Sequence, residues 1–393
     1  MKWLLTCYAC CILSGCITDY MAKDINEESN ILVVEGAITE GETEIKLSRS
    51  LNLTDINPAI SIFVDDARVY VECDDGTRIE AEESDPAEGA RNGRYLIPTG
   101  KLEMERKYRL KIEIDEPDAK SDDCIVQAGG VVQCPVKTFE YCTDYAFPIV
   151  TPAIDSVFWS KKSAGQPVII HVATHDPDNK TLFYRWSYEE DWEIHTDIMS
   201  VFYFYPEQCW SSSRNSDLLL GSSEQTVLGR LTDIITEISP TDRKLEVLYR
   251  IIVKQNVISK AAYDYYTNIK TNDEQMGSIF AQMPSELRGN IICTTEPGRP
   301  VIGYVDVSLT KQQHLFIPRS AGVYEYTDRN WLCEPVLQDS LLEAYEGYLP
   351  STYRPYLWTY DTIIKEYVLY YTLSTCIDCS SLGELQMPDD WPE

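Results

Sequence analysis

Apolar and polar residues alternate with period two along much of the chain, the spacing of strands that bury one face. Thr43-Glu44-Ile45-Lys46-Leu47-Ser48 and Tyr108-Arg109-Leu110-Lys111-Ile112-Glu113-Ile114 show it most cleanly. Around them, Ile31–Gly36 is a β-branched run stopped by glycine, and Val69–Cys73 runs into the turn Asp74-Asp75-Gly76. Tyr95-Leu96-Ile97 follows the turn pair Asn92-Gly93. These short strands predict an N-terminal antiparallel sandwich over residues 30–120. Residues 121–147 contain Pro135 and Cys124, Cys134 and Cys142, and read as a linker tied down by disulfide bonding. A second β-rich domain is expected over 148–393. Its strands are Ile154–Trp159, Val168–Ala173, Leu182–Tyr188, Leu245–Val253, Val301–Val307 and Tyr367–Leu373. One helix interrupts it near 259–272, capped by Ser259 with Ile258 before it and Ala261, Ala262, Tyr265, Tyr266 and Ile269 within. The expected fold is mostly β: two antiparallel sandwich domains with a short helical insertion in the second.

The first residues break this pattern. Lys2 precedes the apolar run Trp3–Leu13, too short for the ~20 residues that span a bilayer, so residues 1–15 read as a secretory signal. Its ending Leu13-Ser14-Gly15-Cys16 resembles the bacterial lipobox, which implies that Cys16 is acylated and becomes the mature N-terminus. Residues 16–29 are polar and acidic and predict a tether between lipid and fold. Of thirteen cysteines, Cys7, Cys10 and Cys11 leave with the signal and Cys16 carries the lipid. The remainder is odd, so at least one exported thiol has no partner. Cys376-Ile377-Asp378-Cys379 has redox-motif spacing, but it follows a strand and precedes a polar tail. Cys376 and Cys379 are therefore expected to serve as structural half-cystines, bonded to each other or to other cysteines.

Sixty-three acidic against thirty-four basic residues give a formal charge of −29, which excludes nucleic acid as a partner. The sequence contains no Gly-x-Ser-x-Gly elbow, phosphate loop or His-Glu-x-x-His, and a non-enzymatic protein without cofactor or metal is expected. His171 and His175 lie four residues apart on a strand, ~13 Å, too far to share one ion. Asp176-Pro177-Asp178-Asn179 reads as a turn rather than a calcium loop. Glu189, Glu190, Asp191 and Glu193 surround Trp192, and carboxylate pairs can hydrolyse glycosides, but so acidic a chain produces such neighbours by chance. Aromatic residues cluster late, at Tyr345, Tyr348, Tyr353, Tyr356, Trp358 and Tyr360. Tyr356 and Trp358 are the candidate interface residues.

Two resemblances add to this reading. The strand, Asp-Pro-Asp turn and Tyr184-Arg185-Trp186 strand resemble a hairpin of immunoglobulin-like extracellular domains, which bears on fold alone. Leu32–Gly36 followed by Ile45–Ser50 resembles the opening of the Bacteroidota lipoproteins grouped as domain of unknown function 4249. Gly277–Phe280, Pro284-Ser285, Gly289-Asn290-Ile291 and Gly303-Tyr304-Val305 resemble that family's central signature. Cys209-Trp210 and the ending Cys376–Cys379 with Pro388 and Trp391 also fit, so the resemblance runs from about 31 to 391. It implies an outer-membrane lipoprotein held by its acyl chains, often encoded beside a TonB-dependent transporter. The leading expectation is a protein, favouring the cell surface, that assists such a transporter by capture or as a lid. The rival expectations are a structural or adhesive envelope protein and, third, a carboxylate hydrolase.

Overall fold

The computed structural model describes residues 30–50, 62–82, 92–118, 121, 124–126, 132–178, 180–202, 204–215, 217–226, 229–275, 289–326, 333–363 and 365–392. Cys16, the signal and tether, Gly277–Phe280, Pro284-Ser285 and Asn179 lie outside the described residues. The fold is mostly β. Every pairing between named strands is antiparallel except that of Leu32–Gly36 with Val301–Gly303. Among the described residues, no helix is long and apolar enough to cross a membrane.

The first sandwich has two sheets. One runs Val301–Gly303, Leu32–Gly36, Gly41–Arg49, Arg94–Gly100; the other runs Ile291–Cys293, Val136–Thr143, Tyr108–Pro117, Arg68–Cys73, Arg78–Glu80. Period-two alternation points Ile45 and Leu47 inward from one sheet and Leu110, Ile112 and Ile114 from the other, into a single core. The second sandwich sets Ile154–Ser160, Val168–Thr174 and Leu231–Ile238 against a sheet of Gln208–Arg214, Phe183–His195, Leu248–Val257 and Lys311–Pro318. Trp186, Tyr249, Ile251 and Val253 pack there on Val168, Ile170 and Val172. Gln255, fully buried, joins the layers. It accepts from Trp186 Nε1 at 2.9 Å and donates to Pro152 O at 3.0 Å and Thr174 Oγ1 at 3.1 Å.

Strand membership departs from the expected linear division. The segment read as a linker contains Val136–Thr143, a central strand of the first sandwich. Its Phe139 and Tyr141 are buried while Thr138 and Glu140 face outward, an alternation that the surrounding proline and cysteines obscured. Farther along, Ile291–Cys293 and Val301–Gly303, which fell within the expected second domain, close both sheets of the first. The chain therefore leaves the first sandwich, builds most of the second, returns at 291–303 and leaves again. The helix Lys260–Gln275 precedes the return. Ser259 Oγ accepts from Ala262 N–H at 3.1 Å, so this residue caps the helix, and Ile258 packs beside Ala262 and Phe183.

Close backbone contact holds the returning segment. A Cβ on Gly289 would stand 1.5 Å from Gly303 O, and one on Gly303 (φ 152°) would stand 2.4 Å from Val34 O. Asn290 clasps Val305 in both directions, donating from Nδ2 to its O at 2.8 Å and accepting its N–H at 2.9 Å. Residues 306–309 then bond to both sandwiches. Ile38 N–H reaches Asp306 O and Ser308 N–H reaches Ile38 O, while Ile149 N–H reaches Val307 O and Leu309 N–H reaches Ile149 O.

Candidate docking face on the C-terminal cap

The last sixty residues form a small separate sheet, Val336–Leu337, Glu366–Leu373, Tyr353–Asp361, with helices Gln338–Ala344 and Ser374–Ile377. Its core is slight: Cys333, Cys376 and Ile377, against Leu373, Tyr356, Ile198 and Tyr205. Covalent bonds compensate for the small core. Cys376 bonds to Cys333 within the cap, and Cys379 bonds to Cys209 on the strand Gln208–Arg214 of the second sandwich. Cys376 and Cys379 are thus not joined to each other, since the turn between them sends one sulfur into the cap core and the other to the neighbouring sheet. Cys124 and Cys134 pair, whereas Cys142 stays a buried thiol like Cys73 and Cys293. Backbone bonds reinforce the attachment: Ile198 N–H to Cys376 O, Cys379 N–H to Pro206 O, and a reciprocal pair between Trp210 and Glu384. Arg250 donates to Asp389 O at 2.6 Å and lies over Trp391.

On this cap a hairpin presents aromatic rings to solvent. Tyr360 stands directly opposite Tyr367 and Trp358 opposite Leu369, so all four share a face. Trp358, Tyr360 and Tyr367 are 64%, 48% and 72% exposed, and Ile363 near the turn is 90% exposed. The rings meet edge to face, with Tyr367 centred 6.4 Å from Trp358 and 5.3 Å from Tyr360. Tyr356 does not join them. A register shift between Pro355 and Leu357 makes it the extra residue of a bulge, and its half-buried ring packs on the Cys333–Cys376 core. Its carbonyl accepts from Val201 N–H and Ser200 Oγ. Trp358 therefore stands at the exposed face, Tyr356 holds the cap together, and Tyr367 belongs to the face although the sequence reading did not single it out.

The other candidates are bound up in the fold. Successive residues of Phe183–His195 point to opposite faces, so Glu190 and Asp191 cannot flank one substrate bond. Glu190 accepts from Tyr249 Oη at 2.7 Å, Lys244 Nζ at 2.7 Å and Ser213 Oγ at 2.8 Å. Asp191 Oδ2 takes Arg250 Nε and Nη2 at 2.9 and 2.7 Å. Burial, then the Glu190 carboxylate, pushes the Tyr249 phenol far above its ordinary value. Glu189 and Glu193 meet Lys254 and His195. Asp176 is consumed by its own turn, accepting from Asp178, Lys180 and Thr181 N–H groups and from Thr181 Oγ1. Desolvation would raise it, but those bonds outweigh burial and hold the carboxyl below its usual value. His171 meets Ser160 at 2.8 Å and His175 meets Asp155 at 2.7 Å. An open groove of about 410 Å³ beside Trp159 has its charges spent, Lys161 Nζ on Glu325 and Val323 O.

The glycines that lock the returning segment, Gly289 and Gly303, stand within the family signature recognised in the sequence. The family described as Domain of unknown function (DUF4249) matches residues 18–314. The chain belongs to the DUF4249 family. No curated protein matches it. The match takes in both sandwiches as far as the strand Lys311–Pro318 and stops before the cap. The likeness at Cys376–Cys379, Pro388 and Trp391 thus lies beyond it. In this DUF4249 protein the signature glycines act by permitting backbone contact, and the docking face is carried on an element outside the matched region.

Proposed function

We propose that this DUF4249 protein is an outer-membrane lipoprotein, anchored at Cys16, that assists a TonB-dependent transporter by docking on it through the cap hairpin. The observation that carries the reading is the cluster of Trp358, Tyr360 and Tyr367, which are large, exposed and held on a disulfide-braced element. Rigid exposed aromatics are the residues that dominate interface energetics, and their fixed placement reduces the entropy lost on binding. Charge supports a protein partner over a lipid surface: residues 333–392 hold ten acidic side chains against Arg354 and Lys365 and would be repelled by anionic headgroups. A lipid tether would raise the local concentration of the pair.

The test is quantitative co-purification from detergent-solubilised membranes. The wild-type chain should enrich a TonB-dependent barrel, Trp358→Ala with Tyr367→Ala should lose most of it while remaining folded, and Cys16→Ser should lose lipid labelling and membrane retention. A barrel no more abundant than with an unrelated lipoprotein defeats the reading.

A further inference from the structure

The disulfide map and the threading of the chain share a feature that neither has alone. In chain order the mature cysteines are Cys73, Cys124, Cys134, Cys142, Cys209, Cys293, Cys333, Cys376 and Cys379. Cys124–Cys134 and Cys333–Cys376 join neighbours along the series, whereas Cys209–Cys379 does not. Cys209 must pass over Cys293, Cys333 and Cys376 to reach Cys379, 170 residues on, and Cys333–Cys376 nests inside that loop. Three thiols must avoid oxidation altogether: Cys73, Cys142 and Cys293 end buried at 2%, 7% and 4% exposure. Their shelter is built late. Cys142 sits opposite Ile292 on the returning edge strand that also carries Cys293, and Cys73 lies in the core that Ile291, Val301, Val305 and Val307 complete. When Cys209 emerges, the sandwich meant to hide Cys73 and Cys142 lacks two of its strands.

We propose that the mature chain is a substrate of a thiol–disulfide isomerase, its native pairing reached by reshuffling and not by oxidation in the order of export. The inference rests on the export reading above. A disulfide-donating oxidase removes two electrons and two protons for each bond and joins cysteines as they arrive, for instance Cys209 to Cys333. An isomerase thiolate attacks Cys333 Sγ; the Cys209–Cys333 bond breaks, a mixed disulfide forms and Cys209 leaves as thiolate. Cys376 thiolate then attacks the same Cys333 Sγ, forming the native bond and expelling the isomerase thiolate, with no net oxidation in the exchange. Cys209 is left for Cys379 in a later oxidation. Once the first sandwich closes, burial raises the Cys73 and Cys142 thiols above their ordinary values and removes them from the exchange.

The experiment uses the purified Cys16→Ser chain, reduced and unfolded, then refolded in two arms: diamide alone, and reduced with oxidised glutathione plus a protein disulfide isomerase. Unreduced peptide maps count Cys209–Cys379 and Cys333–Cys376, and alkylation counts Cys73, Cys142 and Cys293. The isomerase arm should give roughly tenfold more of the native map, since only thiolate attack undoes a wrong pair. Equal native yields in both arms overturn the proposal. Alkylation of intact cells before lysis judges the export reading separately: six free thiols at Cys124, Cys134, Cys209, Cys333, Cys376 and Cys379 would sink that reading and leave the refolding result to stand by itself.

Discussion

A fragment of residues 30–147, which the sequence pattern marks as a domain with its linker, should not fold by itself. Deleting everything after 147 removes Ile291–Cys293 and Val301–Gly303, one outer strand of each sheet. With them go Ile291, Val301, Val305 and Val307, none more than 8% exposed. Full burial of such a side chain is worth ~1.5–3 kcal/mol, so the four together contribute roughly 6–12 kcal/mol as an upper figure. A whole domain is stable by only about 5–15 kcal/mol, so the loss consumes most or all of it. Tyr141–Thr143 and Leu32–Val34 would also lose their ladder partners. Circular dichroism should show no cooperative melt for 30–147, whereas 30–147 joined through a flexible Gly/Ser linker to 289–309 should recover one. A sharp melt of the short fragment within a few degrees of the joined one would refute the argument that the returning segment completes the core.

Two further outcomes concern stability. Gln255→Leu keeps the volume but orphans Trp186 Nε1–H and Pro152 O, at ~1–3 kcal/mol each; a loss of roughly 2–6 kcal/mol should appear in urea unfolding followed by tryptophan fluorescence. Asp306 lies at the seam with its carboxylate on Ser259 N–H and Oγ; burial raises its pKa more than those bonds lower it. A raised folded pKa means that its stability contribution is present below the ordinary aspartate value near ~4 and is lost as pH rises through the raised value. Asp306→Asn should therefore gain stability relative to wild type between pH 4 and pH 7, and a constant difference across that range would count against the assignment.

Strand positions were legible because alternation is a local property: Ile45 and Leu47, or Leu110 and Ile112, declare their face without reference to any partner. The helix start was legible for the same reason, through Ser259. Sheet membership was not. Nothing near Ile291 or Val301 states that their neighbours are Thr143 and Leu32, some 150 and 270 residues back, since such pairing is set by burial of the whole core. The candidate face was half legible. The richness in Tyr and Trp was visible, but one bulge residue turned Tyr356 inward, and the half-cystines of Cys376–Cys379 bonded to cysteines that spacing could not name.

The parallel pairing of Leu32–Gly36 with Val301–Gly303 bears on how the molecule carries mechanical load. If, as proposed, lipid holds the chain before Asn30 and a partner holds the cap, tension pulls one strand from its start and the other from its end. Parallel neighbours pulled that way slide lengthwise, so Leu32–Val301, Val33–Ile302 and Val34–Gly303 resist together in shear instead of opening one after another like a zip. On its other side Leu32–Gly36 bonds along its length to Gly41–Arg49. The body would therefore behave as a stiff strut between bilayer and partner, passing on a tug from either end before any strand let go.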